Sequence, residues 1–172
     1  MALSKELLDK LMGQLGSRFP GAKAFAAEEF GNFREPEAVL PLTGMLADEC
    51  SLVRWKAAEA LGKIGDVRAT YWLLRLLSDA FPEVRCHADM ALTRILGKCD
   101  GIPELKQFEF ALGNAIGDMR ANTPEGDMIK IMAKAIELQT IARKKMADIG
   151  RTPKQFRKPD NTSQRKRIKR PL

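Results

Sequence analysis

Aromatic side chains are scarce in this sequence, at 6% of its residues, and runs of β-branched residues are few. Both shortages argue against a sheet, whose strands draw on those residue types. Histidine occurs once, as His87. No Cys/His/Asp/Glu set has metal-ligand spacing, so no metal site is expected. Three cysteines, Cys50, Cys86 and Cys99, follow neither a zinc nor a disulfide pattern. An odd, scattered set fits a reducing compartment, so the expected location is cytoplasmic, or nuclear in a eukaryote. No stretch reaches the roughly 18 to 20 apolar residues of a membrane span. The first leucines are interrupted by Lys5, Glu6, Asp9 and Lys10, which leaves no signal-peptide apolar core there. No glycine-rich loop ends in Lys-Ser or Lys-Thr, so the phosphate-cradling signature is missing. Cys86 and His87 are neighbours, and neighbouring helical positions diverge by about 100 degrees, which does not make a nucleophile pair. Glu28 and Glu29 are adjacent rather than opposed. No catalytic residue and no cofactor is expected.

What the chain does have is a repeat. Val53, Arg54, Ala57, Ala60, Leu61 and Ile64 match Val84, Arg85, Ala88, Ala91, Leu92 and Ile95, each 31 residues on. The same step backwards matches Leu61, Gly62 and Ile64 to Phe30, Gly31 and Phe33, and Leu73, Leu77 and Asp79 to Leu42, Leu46 and Asp48. A fixed period of this size marks a solenoid. The steps of three and four place Val53, Ala57, Ala60, Leu61 and Ile64 on one face of a helix. After a turn at Gly65-Asp66, Leu73, Leu74, Leu76 and Leu77 give a second helix its apolar face. Neither helix hides that face alone, so each pair must stack on the next.

The run AxEALGxIGD at 57–66, LLxLLxD at 73–79 and the Val-Arg pairs resemble the HEAT-like repeat first described in phycobilisome lyases. The clearer copies are 51–80 and 81–97, the weaker 19–49. The resemblance implies an all-α fold, a short right-handed α-solenoid of stacked antiparallel helix pairs. It is specific for fold and says little of activity, since such repeats serve mostly as scaffolds and adaptors. It also implies pairing of loop acids with arginines of adjacent helices. Asp48, Arg54, Asp79 and Arg85 are therefore expected to set the stacking register. The alternative is solvated charges worth well under about 1 kcal/mol each.

In chain order, residues 1–18 form an N-terminal cap helix, opened by Ser4 and lined by Leu7, Leu8, Leu11, Met12 and Leu15. Residues 19–120 hold the repeats. The first runs 22–33 with Phe25, Phe30 and Phe33 on its face, and Pro36 starts its return helix. A loop is expected at 99–103. Thr123-Pro124-Glu125 opens a long capping helix over 123–150, whose face runs Met128, Ile131, Ala135, Leu138, Ala142, Met146 and Ile149, widened by Ile129, Met132 and Ile136. Its Met-rich side is also a candidate seat for a partner or a second copy of the chain. Residues 1–150 are thus one domain.

Residues 151–172 hold nine of the 29 Lys and Arg residues and only one acid, Asp160, so the net charge of +7 belongs to this tail. The body carries −1. The tail, with Pro153, Pro159 and Pro171, is expected to be disordered alone. Arg165, Lys166, Arg167, Lys169 and Arg170 are its electrostatic candidates, for nucleic acid, an acidic protein, lipid or targeting. On the second helix of repeat two, Arg68, Tyr71, Trp72 and Arg75 are candidates for a partner-binding ridge on the concave side, because solenoids use that surface and aromatic and Arg residues anchor interfaces. Trp72 in the core is an equal alternative. Three functions follow: a non-enzymatic adaptor for another protein, a nucleic-acid-associated protein, and, from the resemblance alone, a bilin lyase or chromophore chaperone.

Overall fold

The computed structural model describes residues 4–119 and 125–151. Among these the chain is an all-α solenoid. Its helices are α1 Lys5–Leu15, α2 Pro20–Phe33, α3 Val39–Met45, α4 Ser51–Ile64, α5 Thr70–Leu76, α6 Pro82–Lys98, α7 Ile102–Met119 and α8 Glu125–Arg151. The first helices of the three repeats form one layer, α2 against α4 and α4 against α6. The return helices form the other, with α3 against α4 and α5 against α6 and α7. α1 covers α2, and α8 covers α7.

Local chemistry explains most boundaries. The Ser4 hydroxyl accepts the Leu7 N–H at 3.3 Å and starts α1. Pro20 and Pro82 stand in the first turns of α2 and α6, where a missing N–H costs nothing. Gly65 ends α4 with φ 79°, a conformation only glycine adopts freely. The equivalent position after α2 is Arg34 at φ 55°, which costs on the order of 1 kcal/mol relative to glycine. The return helices do not begin directly as α-helix at Pro36 and its counterpart. Each enters through a 3-10 turn, Pro36–Ala38 and Val67–Ala69. Glu35 and Asp66 cap these turns by accepting the N–H two residues on. The expected loop at 99–103 is shorter, because α7 already begins at Ile102. Gly150 does not end the last helix within the described residues.

The inward faces follow the period. Val53, Ala57, Ala60 and Leu61 of α4 are buried, as are Val84, Ala88, Ala91, Leu92 and Ile95 of α6. Phe30 fills the matching place in α2. Phe25 does not join it and is 54% exposed. Its repeat equivalents are Lys56 and His87, an outward row, while Ala24 and Ala27 take the inward places. In α8, Met128, Ile131, Ala135, Leu138 and Ala142 are buried, and Met132, Met146 and Ile149 are partly buried against the core. Ile129 and Ile136 point outward instead.

Two glycines set the spacing of the first layer. A Cβ built on Gly31 would lie 2.8 Å from the Ala60 Cα, and one on Gly62 would lie 2.7 Å from the Ala91 Cα. Backbone meets backbone at the same place in both interfaces.

The loop acids and arginines expected to fix the register are all engaged, each acid with a cation 25 residues before it. Asp48 binds Lys23 at 2.7 Å, and Asp79 binds Arg54 through two hydrogen bonds of 2.7 and 3.0 Å. In each pair the acid follows its cation by 25 residues. The arginine that follows each loop grips backbone rather than carboxylate. Arg54 donates to the Asp48 and Glu49 carbonyls, and Arg85 to those of Asp79 and Ala80. Asp48 and Asp79 also accept the Cys50 and Phe81 N–H groups at 2.9 Å, which turns the chain into the next helix. Arg54 therefore ties two successive loops, while Arg85, among the described residues, hydrogen-bonds only to the loop before it. Burial acts to raise the Asp79 pKa, but the Arg54 hydrogen bonds, the Phe81 amide and the Arg54 and Arg85 charges outweigh it and hold it below the ordinary value of 3.8. Asp48 is lowered in the same way: burial opposes, and Lys23, the Cys50 amide and the Arg54 charge prevail.

Gly62→Ala should destabilise by about 1–3 kcal/mol in urea unfolding, despite alanine's helix propensity, because the added methyl meets backbone. Gly113→Ala in α7, where a Cβ meets nothing within 4 Å, should stabilise by up to about 1 kcal/mol. A depressed folded-state carboxylate contributes stability that is complete above its unfolded pKa and lost as pH falls through the folded value. Stability should therefore decline as pH drops below 3.8, and Asp79→Asn should make that decline shallower. The same variant should cost about 1–3 kcal/mol at neutral pH. Chemical denaturation at a series of acid pH values measures both effects.

Candidate functional site

Stepping the second helix of repeat two back by 31 residues sets Pro41 under Trp72, Gly44 under Arg75 and Ala47 under Ser78. Small residues on α3 thus face large ones on α5. The result is a groove of about 500 Å³ between the two return helices. Leu40 and Gly44 of α3, with Ala47 just beyond its end, form one wall, and Trp72, Arg75 and Leu76 of α5 the other. Leu40 is 66% exposed and Trp72 is 44% exposed. Trp72 is therefore a surface residue, not core. Leu73, Leu74 and Leu76 carry the inward face of α5, with Leu77 partly buried beside them.

The four ridge candidates divide. Trp72 and Arg75 line the groove. Tyr71 stands beside it, its ring edge-on to Trp72 with centroids 5.0 Å apart, and packs partly against the core. Its hydroxyl is 3.5 Å from the Arg75 guanidinium. Arg68 is drawn away. It forks onto Asp66 with contacts of 2.7 to 3.1 Å and reaches the Pro36 carbonyl at 3.5 Å. Burial opposes ionisation of Asp66, but the Arg68 side chain and amide outweigh it and lower its pKa. Arg68 is thus part of the turn into α5 rather than of the groove. Asp79, at the groove's end, is engaged by Arg54. Among the described residues no acid forms an ion pair with Arg75. The groove therefore combines apolar walls, one exposed tryptophan and one uncompensated cation. The sequence reading missed Leu40, Gly44 and Ala47. The 31-residue step applied to Trp72 and Arg75 finds their positions.

Of the other reactive side chains, His87 and Cys99 are occupied by packing. His87 stacks on Trp55 with centroids 4.8 Å apart, and its Nδ1 lies 2.8 Å from the Glu83 carbonyl oxygen. Trp55 packs against the core from the outer side, with Lys56 over its ring. Burial pushes the Cys99 thiol up, and its Sγ donates to the Ile95 carbonyl. Cys86 is exposed and Cys50 half-buried, and all three are free. A second cavity of about 320 Å³ lies at the Gly65 turn, between Lys98, Cys99 and Gln107. Among the described residues no group of three or more His, Cys, Asp or Glu side chains gathers to hold a metal. No described helix is long and apolar enough to cross a membrane. Arg165, Lys166, Arg167, Lys169 and Arg170 lie outside the described residues, as do Thr123 and Pro124.

The comparison with curated proteins finds no match. Among solved structures, the crystal structure of an engineered protein from the Northeast Structural Genomics Consortium superposes with a TM-score of 0.55 at 22% identity. The alignment covers 83% of this chain and 67% of that one, and at such identity it speaks for the fold alone. A family model described as HEAT repeats matches residues 8–93. That match spans half of the chain, from α1 through most of α6, and holds the glycine–alanine contacts and the loop-tying arginines, so this protein belongs to the HEAT-repeat family.

Proposed function

We propose that this protein is a non-catalytic adaptor whose α3–α5 groove holds an extended segment of another protein. HEAT repeats are generally a scaffold fold, and the side chains around the groove offer no nucleophile with a base beside it. The observation that carries the reading is Arg75, a guanidinium that has no acid partner among the described residues and stands at the lip of an apolar groove. An ion-pair partner there has to come from outside those residues. The segment that fits carries an aliphatic or aromatic side chain for the floor between Gly44 and Trp72, and a carboxylate for Arg75. A bidentate guanidinium–carboxylate contact adds geometry as well as charge. A desolvated tryptophan with a neighbouring arginine is the kind of pair that dominates interface energetics. The tail of 151–172 would add attraction for an acidic partner without specifying it. A bilin-handling role is supported only by the likeness of the repeats to those of phycobilisome lyases, and mixing with a bilin tests it by a spectral shift.

Selection of a displayed random-peptide library on the full chain should enrich acidic residues at a fixed distance from an apolar one. Trp72→Ala should weaken the selected peptides by about 2 kcal/mol, roughly 30-fold. Arg75→Glu should turn the preference from acidic to basic. Both side chains are exposed, so melting temperatures should stay near that of the parent. Recovery of the same acidic peptides on Arg75→Glu would sink this assignment, and no enrichment at all would remove the groove as a peptide site.

A further inference from the structure

α8 carries two apolar seams, and the fold buries one of them. Met128, Ile131, Ala135, Leu138 and Ala142 are buried where α8 covers α7 and meets α6. On the far side Ile129, Ala133, Ile136 and Thr140 follow one another at steps of four, three and four. All four are exposed, Ile129 by 65% and Ile136 by 56%. Single apolar residues on a surface are ordinary. Alternation of four and three is not, because it is the spacing with which two helices pack along their length. The next place in the series, Arg143, turns to Glu109 of α7 and closes the seam. This surface is apart from the α3–α5 groove and independent of the reading given to it.

The other end of the stack shows the contrast. α1 likewise covers its neighbour, and it turns Lys5, Glu6, Asp9 and Lys10 to solvent. A helix that ends a solenoid needs a polar outer face of that kind. α8 departs from the rule over residues 129–140. Its charges there stand beside the seam rather than in it. Lys130 and Glu137 lie one heptad apart on the same flank, and both are exposed.

We infer that this seam docks the same seam of a second copy of the chain, antiparallel, about a two-fold axis between Ala133 and Ile136. Size, charge and the place of the tail select that occupant. About this axis Ile136 meets the partner's Ala133, and Ile129 meets the partner's Thr140. Each large side chain then lies against a small one, and the same contacts recur across the axis. The axis also brings Lys130 of each copy to the partner's Glu137, because antiparallel pairing sets like flanks together. Glu137 can turn to that contact, since Lys134, which it now binds, is also held by Asp89 at 2.7 Å. A parallel pair would set isoleucine on isoleucine and alanine on alanine, at unequal helix separations. It would also start both segments of 151–172, each with nine cations and one acid, side by side. In the antiparallel pair each α8 ends about 25 Å from the axis. The two segments then begin about 50 Å apart, far beyond the screening length of about 8–10 Å. The overlap of 126–143 is about 27 Å long, and the seam is narrow. Its dimer therefore belongs with weak interfaces, with a dissociation constant in the micromolar range.

The test is sedimentation velocity of the full chain from about 1 to about 200 μM. The parent should pass from monomer to dimer within that range. Ile136→Glu should weaken the dimer at least about 30-fold. Its melting temperature at the lowest concentration should stay near the parent's, because the side chain is exposed in the monomer. Lys130→Glu and Glu137→Lys should each weaken the dimer about 3- to 10-fold, since each sets like charges together at two symmetric places. The double variant, Lys130→Glu with Glu137→Lys, should return to within about 3-fold of the parent. That restoration is expected of a helix paired with its own copy in this register. A chain still monomeric at the highest concentration overturns the proposal, as does a dimer indifferent to Ile136→Glu or a double variant no tighter than the single ones. A monomer that instead floats with phosphatidylcholine vesicles, and ceases to do so in Ile136→Glu, would mark a lipid-facing seam and overturn it too.

Discussion

The distance between first-layer helices is limited by glycine against alanine. Gly31 meets Ala60 and Gly62 meets Ala91 with no room for a methyl on the glycine. At that separation the layers interdigitate closely, and the core is filled by small and medium side chains with few aromatics. Dispersion between packed atoms is individually weak and falls quickly with distance. The stack therefore depends on helices that approach without an intervening side chain. The stems of Lys63 and Arg94 lie across those glycines, which shields the contact and sends their charges to the helix ends.

The second constraint acts across the loops. Arg54 joins the carbonyls at Asp48 and Glu49 to the carboxylate of Asp79, so one side chain spans the boundary on both sides of its own repeat. The pair is largely shielded, with side-chain exposures of 12% and 9%, so its hydrogen bonds act outside the screening that weakens surface pairs. Carboxylates that cap the next helix and bind a cation at once make each loop a rigid corner.

Much of this was legible from spacing alone. The 31-residue step gives the helix pairs, the inward faces of α4 and α6 and the turn at Gly65, because periodic burial leaves a periodic sequence. The pairing of Asp48 and Asp79 was not legible, since their partners are 25 residues upstream and one is Lys23, a different residue type from Arg54. Trp72 illustrates another limit. Helical position says which side of α5 it occupies, but its exposure depends on Gly44 of α3 and on Ala47 just after that helix, which are too small to cover it. Phe25 fails for the converse reason, as a large apolar residue in an outward row.

The pairs Lys23–Asp48 and Arg54–Asp79 are not continued at Arg85, which forms no ion pair among the described residues, and this gives the ladder a direction. Duplication of a central unit would reproduce both halves of the joint and lengthen the molecule without disturbing its ends. Duplication of the terminal unit would join an edge that lacks one half of that joint. Growth of this architecture, by recombination or in the laboratory, is thereby steered to its middle.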